Sequence, residues 1–288
     1  MHGFRIWIGS ATPDRMACEG LRKAMNWQDR LRTFLLPTYE GLPAGAKQLA
    51  RRVFAVLQGP LFSARARWVR FTYLRHITRE REYLFLCMAR YANVNRPIKG
   101  YYMEFGCFGA NTMRQAYDSF HHLFDWRYVA FDSFEGLPEI SAIDRQEAWE
   151  RGKLKTGEEE FKRICRRHGI PADRLRTVKG FYDVSLTPDL ARELVPTKAA
   201  VVYIDCDLYL STVPILSFIV DFLQVGTIIV FDDWNCFWAD PNRGERRAWR
   251  EFCEAHPHLR FEPFVQTGMQ MSFVCVGSSA QGSGSPAG

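Results

Sequence analysis

The chain has 288 residues, of which 47% are hydrophobic and 14% aromatic, so a sizeable core is within reach and wholesale disorder is excluded. That length suits one large α/β domain with additions, or two small domains. A formal net charge of +6 is mild: it is compatible with an acidic ligand or surface and does not call for nucleic acid.

The eight cysteines form no CxxC pair, and several fall inside apolar strands. They read as reduced, partly buried thiols of a cytoplasmic protein, not as a disulfide scaffold or a zinc site. No N-terminal run has the pattern of a signal peptide, and no apolar stretch of about 20 residues is present to span a membrane.

Residues 14–34 alternate charged and apolar residues in a loosely helical way, and 35–46 are rich in turn formers. Residues 47–57 predict a basic helix that breaks at Gly59-Pro60. A second basic stretch follows with Arg65, Arg67, Arg70, Arg75, Arg79 and Arg81, interleaved with Trp68, Phe71, Tyr73 and Leu74. Two readings apply: a surface for an anionic ligand or membrane, or helices that pack as a lid or subunit face while their arginines stay solvated. The second is preferred, and it makes a homo-oligomer reasonable.

Residues 83–91 predict a helix. The first strand, 100–105, runs into Gly106-Cys107-Phe108-Gly109, and a helix opens near Asn111-Thr112. Strand, glycine turn and helix form a nucleotide-cradling arrangement, in which glycines admit a ligand to the backbone and the helix start offers amide donors. Gly106, Cys107, Gly109, Asn111 and Thr112 are therefore candidate cofactor residues. The third glycine of the dinucleotide fingerprint is missing, which counts against a nicotinamide dehydrogenase. His121 and His122 follow on the same helix and are read as structural.

The second strand, 127–131, ends at Asp132, about 26 residues beyond Gly106, where an acid can bind ribose hydroxyls. Residues 139–168 read as solvated helices, 175–179 as a third strand ending in the turn Gly180-Phe181, and 188–195 as a short helix.

Residues 199–234 organise the rest. Two apolar strands, 200–204 and 227–231, each end in acid: Asp205-Cys206-Asp207 and Asp232-Asp233. The helical spacing between them makes a βαβ unit, so the strands are expected to be parallel, with their carboxyl ends on one edge. Asp205, Asp232 and Asp233 are predicted to meet there, where open α/β sheets bind ligands. Three carboxylates in one crevice repel, and a hard divalent ion such as magnesium relieves them. The competing reading is that each acid caps a following helix. A salt bridge to an arginine filling the space, or strand ends facing different ways, removes the proposed metal chemistry.

Beyond them, the aromatic loop 234–238 is either a pocket wall or ordinary packing. Residues 243–255 read as a helix, 261–265 and 271–276 as a closing pair of strands, and 277–288 as a disordered Gly/Ser tail. The whole is an α/β, doubly wound, mostly parallel seven-stranded sheet with an N-terminal helical extension. Its expected divisions are residues 1–94, 95–276 and 277–288.

Glu104 to Gly109, the run Asp132-Ser133-Phe134-Glu135-Gly136-Leu137-Pro138, and Asp205-Cys206-Asp207-Leu208-Tyr209-Leu210-Ser211-Thr212 with Phe231-Asp232-Asp233 resemble the macrocin O-methyltransferase family of bacterial sugar O-methyltransferases. The helix from Gly244 to Phe252 is similar as well. The resemblance covers roughly residues 95–276. It implies a class I S-adenosylmethionine-dependent methyltransferase fold, S-adenosylmethionine and Mg2+ as cofactors, and transfer to a hydroxyl next to another oxygen. It implies that Glu104 and Gly106 line the methionine part, Asp132 holds the ribose with Ser133 nearby, and Gly180 and Phe181 flank the adenine. Asp205, Asp232 and Asp233 are implied metal ligands, and Asp205, also beside the cofactor, is the expected proton acceptor. The acceptor is expected to be a small hydroxylated molecule, a sugar or sugar-containing natural product. A catechol-like aromatic diol and a non-catalytic methyltransferase-like scaffold are the alternatives.

Overall fold

Five strands rich in β-branched and aromatic residues lie side by side in parallel: β1 (Tyr101–Phe105), β2 (Arg127–Asp132), β3 (Leu175–Lys179), β4 (Ala199–Ile204) and β5 (Ile228–Phe231). The hairpin of β6 (Leu259–Gln266) and β7 (Met271–Ser278) adds antiparallel strands beside β5. The order is β3-β2-β1-β4-β5-β7-β6. This computed structural model describes residues 43–147 and 149–278. The loosely helical reading of 14–34, most of the turn-rich stretch and residues 279–288 of the expected tail lie outside the described residues, while Gly277 and Ser278, assigned to that tail, belong to β7.

Between the strands run α2 (Asn111–Phe120), α3 (Glu158–Arg167), the short α4 (Tyr182–Ser185), α5 (Pro188–Leu194), α6 (Tyr209–Ile219) and α7 (Gly244–Ala255). All are preceded in the chain by α1 (Ala44–Val94). Parallel neighbours need such crossovers, and covering both faces leaves the central strands apolar throughout. The strand period of two divides each strand between two cores. Tyr102, Glu104, Tyr128, Tyr203 and Val230 point to the side that holds Leu84, Phe85 and Met88 of α1. Met103, Phe105, Phe131, Ile204 and Phe231 point to the side of α6 and α7.

The chain divides into two compact units, Met1–Tyr73 and Leu74–Gly288. The sheet and all its covering helices, with the end of α1, belong to the second.

Two expectations need correction. The break at Gly59-Pro60 does not occur, and α1 runs through both residues. A proline costs a helix interior about 3 kcal/mol through one lost donor and a ring clash, but it leaves the flanking turns able to form. Residues 139–157 are mostly loop, with a single 3-10 turn at Ala142–Asp144; only Glu158–Arg167 is helical. The loop is tied down by Asp144, which is buried and accepts from the first amides of α6, Tyr209 N at 2.8 Å and Leu210 N at 3.1 Å. Among the described residues no helix is long and apolar enough to cross a membrane, and no disulfide is formed.

Candidate active site

The strand order reverses between β1 and β4, and their carboxyl ends flank the crevice this reversal opens. The parallel ladder continues one residue past each strand. Asp205 N–H donates to Phe105 O at 2.8 Å, Asp232 N–H to Ile204 O at 2.8 Å, Gly106 N–H to Phe131 O at 3.0 Å and Gly180 N–H to Asp132 O at 3.0 Å. These bonds bring the four candidate segments to one edge.

One side-chain oxygen from each of Asp205, Asp232 and Asp233 lies within 4.8 Å of the other two. The capping alternative is not what the structure shows. Asp144 supplies the cap of α6 from a distance, while the three strand-end acids turn toward each other. Asp233 accepts from the Asp207 N–H at 3.2 Å and the Cys236 thiol at 3.4 Å. Its own N–H donates to Glu245 Oε2 at 3.0 Å. Burial first, then Asp232 and Asp233, raises the Asp205 pKa well above the usual carboxylate range. Burial and then Asp207 do the same to Asp233, and burial with Asp205 pushes Asp207 up to about 7.

An arginine does enter this space. Arg81, read from the sequence as one of a solvated basic series, grips Asp232 with Nε 3.2 Å from Oδ1 and Nη2 2.6 Å from Oδ2. Nη2 also lies 3.8 Å from Asp205 Oδ2. Burial works against the guanidinium charge, but Asp232, Tyr203 and Asp205 outweigh it and raise its pKa above the ordinary value. Arg65, Arg67, Arg70, Arg75 and Arg79 are exposed, as expected. Arg81 differs because it stands three, four and seven residues before the buried Leu84, Phe85 and Met88, which puts it on the inward face of α1. That spacing was a signal available in the sequence. Asp232 Oδ1 also accepts from Tyr203 Oη and from Gln270 Nε2 at 3.1 Å. Gln270, in the turn before β7, left no such signal.

A hard divalent ion takes oxygen donors. Three carboxyl groups here supply them; Arg81 pairs with Asp232 and approaches Asp205, while Asp233 is held by Asp207, Cys236 and Glu245, so the guanidinium enters the space without filling it. The donor set therefore fits magnesium in kind, with Asp232 presently engaged by Arg81.

The cofactor candidates are distributed unevenly. Gly106 has φ +92°, and a Cβ there would lie 1.7 Å from Asp205 O, so this glycine lets β1 and β4 approach. Cys107 is buried; its N–H donates to Asp132 Oδ2 at 2.7 Å and its thiol faces carbonyls. The other Asp132 oxygen accepts from Phe134 N–H at 2.6 Å. Asp132 thus braces the glycine turn through one lone pair of each oxygen, leaving others for a ligand. Gly109 donates to Thr156 Oγ1 at 2.9 Å. Asn111 pairs with Arg114, and Thr112 is buried at the start of α2. Ser133 closes its own turn, donating to Gly136 O at 2.8 Å and accepting from Glu135 N–H at 3.0 Å. Phe181, beside Gly180, is exposed.

Glu104 is fully buried. Its Oε2 accepts from Tyr102 Oη at 2.7 Å, and its Oε1 has no partner. Such an orphan oxygen fits an ammonium donor. Burial pushes its pKa up to about 8. The folded protein therefore holds a proton that the unfolded chain, titrating near 4.3, releases. The stability this contributes is full below about pH 4 and is lost as pH rises through about 8. Glu104→Gln is expected to shift the melting-temperature difference in the variant's favour between pH 5 and pH 8.5. Parallel melting curves for variant and wild type across that range would contradict the buried, proton-holding carboxyl.

The aromatic loop resolves mainly into packing. Trp234 rests on Phe231 and Phe273 with Arg246 over its ring, and Phe237 is buried, whereas Trp238 is 84% exposed. His121 stacks on Tyr117, in keeping with a structural role.

A parallel sheet of this order, with its closing hairpin, is the class I methyltransferase form of the Rossmann-like α/β fold. The solved O-methyltransferase NovP superposes with a TM-score of 0.56 at 21% identity, over 68% of this chain and 79% of that one. The calicheamicin methyltransferase CalS11 does so with a TM-score of 0.51 at 20% identity, over 86% and 92%. A curated relative, 8-demethyl-8-(2,3-dimethoxy-alpha-L-rhamnosyl)-tetracenomycin-C 4'-O-methyltransferase of Streptomyces olivaceus, is 31% identical over 110 residues. That match spans 36% of this chain and 40% of the relative. The model of the macrocin-O-methyltransferase family (TylF) matches residues 77–260. The chain belongs to that family. The match opens inside α1, earlier than the resemblance seen from residue 95, and takes in Arg81.

Proposed function

We propose that this protein is an S-adenosylmethionine-dependent O-methyltransferase acting on a hydroxyl of a sugar-bearing natural product, with Asp205, Asp232 and Asp233 holding a magnesium ion. The observation that carries the reading is the meeting of these three carboxylates within 4.8 Å at the sheet edge that also bears the Gly106 turn. Family membership and the sugar-modifying activity in the name of the Streptomyces relative support the acceptor class.

When bound, S-adenosylmethionine supplies an electrophilic methyl group and a divalent ion supplies Lewis acidity toward a coordinated hydroxyl. The chain's own residues do the rest. Glu104 Oε1 and the Gly106–Gly109 turn receive the methionine end of the cofactor, Asp132 and Ser133 its ribose side, and Gly180 and Phe181 its base. Asp205 takes the hydroxyl proton on a carboxylate oxygen. Alignment of donor and acceptor at the β1–β4 crevice provides the main rate term, of order 7–11 kcal/mol for well-oriented reactants. In this reading the protein works in the cytoplasm, and a homo-oligomer is the assembly to look for.

The test is methyl transfer to glycosylated and to catechol-type acceptors, with and without EDTA. Transfer to a glycosylated acceptor that EDTA abolishes and Mg2+ restores is expected. Turnover that survives EDTA removes the metal, and preference for the catechol moves the acceptor class. A calorimetric titration showing no S-adenosylmethionine binding leaves only a scaffold.

A further inference from the structure

We propose that Arg81 is a resident counter-ion that competes with the divalent cation for Asp232, so that metal binding requires the guanidinium to let go. The inference rests on the metal site proposed above and adds to it a control residue on α1.

The hydrogen bonds of Asp232 carry the argument. Its Oδ1 already accepts from Arg81 Nε, Tyr203 Oη and Gln270 Nε2, which exhausts its lone pairs. Oδ2 is the oxygen left to face a cation, and Arg81 Nη2 lies 2.6 Å from it. A positive guanidinium in that place and a divalent ion bound to the same oxygen repel across a short distance, in a half-buried site where screening is poor. The same Nη2 stands 3.8 Å from Asp205 Oδ2, so it reaches a second proposed ligand. The two cations cannot both be at home.

Arginine is well suited to this role. It stays charged at any working pH and its planar fork grips a carboxylate at two points. A carboxylate cluster without metal remains partly neutralised, which spares the fold the cost of unpaired buried charges. The Arg81 side chain is 22% exposed, so the guanidinium has solvent to move into.

The experiment is metal binding without turnover. Mn2+ is titrated into the cofactor-free full-length protein and free Mn2+ is read by electron paramagnetic resonance, for wild type, Arg81→Met and Arg81→Lys. Tighter binding by Arg81→Met, by tenfold or more (about 1.4 kcal/mol), is expected, with Arg81→Lys between the two. Equal or weaker binding by Arg81→Met, with wild type still binding Mn2+, overturns the counter-ion role and leaves the metal site standing. Absence of Mn2+ binding in all three proteins removes the metal site, and the proposal with it. If Arg81→Met does not fold, the wild type decides by nuclear magnetic resonance. The slowly exchanging Arg81 Nε–Hε signal, assigned by its loss in Arg81→Lys, is expected to broaden or shift as Mg2+ saturates the protein. A signal unmoved at saturating Mg2+ refutes the competition.

Discussion

Asp205→Asn is expected to lower kcat by a factor of about 100 to 10,000, the range of a lost general base, while making the metal-free protein more stable. The two effects have one origin. Asp205 stands at the carboxyl end of β4, held there by its own N–H on Phe105 O, with Asp232 and Asp233 beside it. Burial and those neighbours raise its folded pKa above the unfolded value. The folded state therefore binds the proton more tightly, and stability is lost as pH climbs past the unfolded carboxylate pKa of about 3.9. An amide of the same shape removes that loss. Melting temperature in EDTA at pH 8 should rise in Asp205→Asn, and activity with Mg2+ should collapse. A variant that keeps activity within tenfold of wild type would show that the proton goes elsewhere; one that melts lower would show that the acid is stabilising where it stands.

Gly106→Ala is expected to cost roughly 3–5 kcal/mol of folding stability, among the largest effects of a single methyl group. The backbone at Gly106 has φ +92°, and the added Cβ would meet Asp205 O at 1.7 Å, a backbone atom that cannot rotate away. Relief requires β1 and β4 to separate where both carry candidate site residues. Gly109→Ala is the control. Its φ is +67°, and its nearest neighbour is the Asn111 Nδ2 at 3.2 Å, the end of a flexible side chain. It should lose only the cost of the left-handed backbone, about 1 kcal/mol. Urea denaturation of both variants measures the difference. Equal losses would mean that Gly106 is present for ligand approach and not for strand packing.

The contrast between these two glycines illustrates what can be read along the chain. Both stand in one turn and look alike in sequence, yet only one touches β4. The strands themselves were legible because parallel, doubly covered strands carry apolar residues on both faces, as in Val201-Val202-Tyr203-Ile204 and Ile228-Ile229-Val230-Phe231. The acids after them were legible for the same reason: a charge that ends an apolar run marks the sheet edge. By contrast, residues 139–157 carry charge at a density that a helix surface and an irregular loop share, and they fold as loop around the buried Asp144.

The amino-acid sequence by itself determined the seven strands, their alternation with helices and the gathering of Asp205, Asp232 and Asp233 at one edge, because apolar period and strand-end charge are local properties that a βαβ chain converts directly into position. Only the tertiary structure decided that Arg81 and Gln270 reach Asp232, that Glu245 receives the Asp233 amide, and that Asp144 caps α6. Arg81 and Asp232 are 151 residues apart. A contact of that span depends on which face of a helix meets which face of the sheet, and no local spacing encodes the partner on the other side.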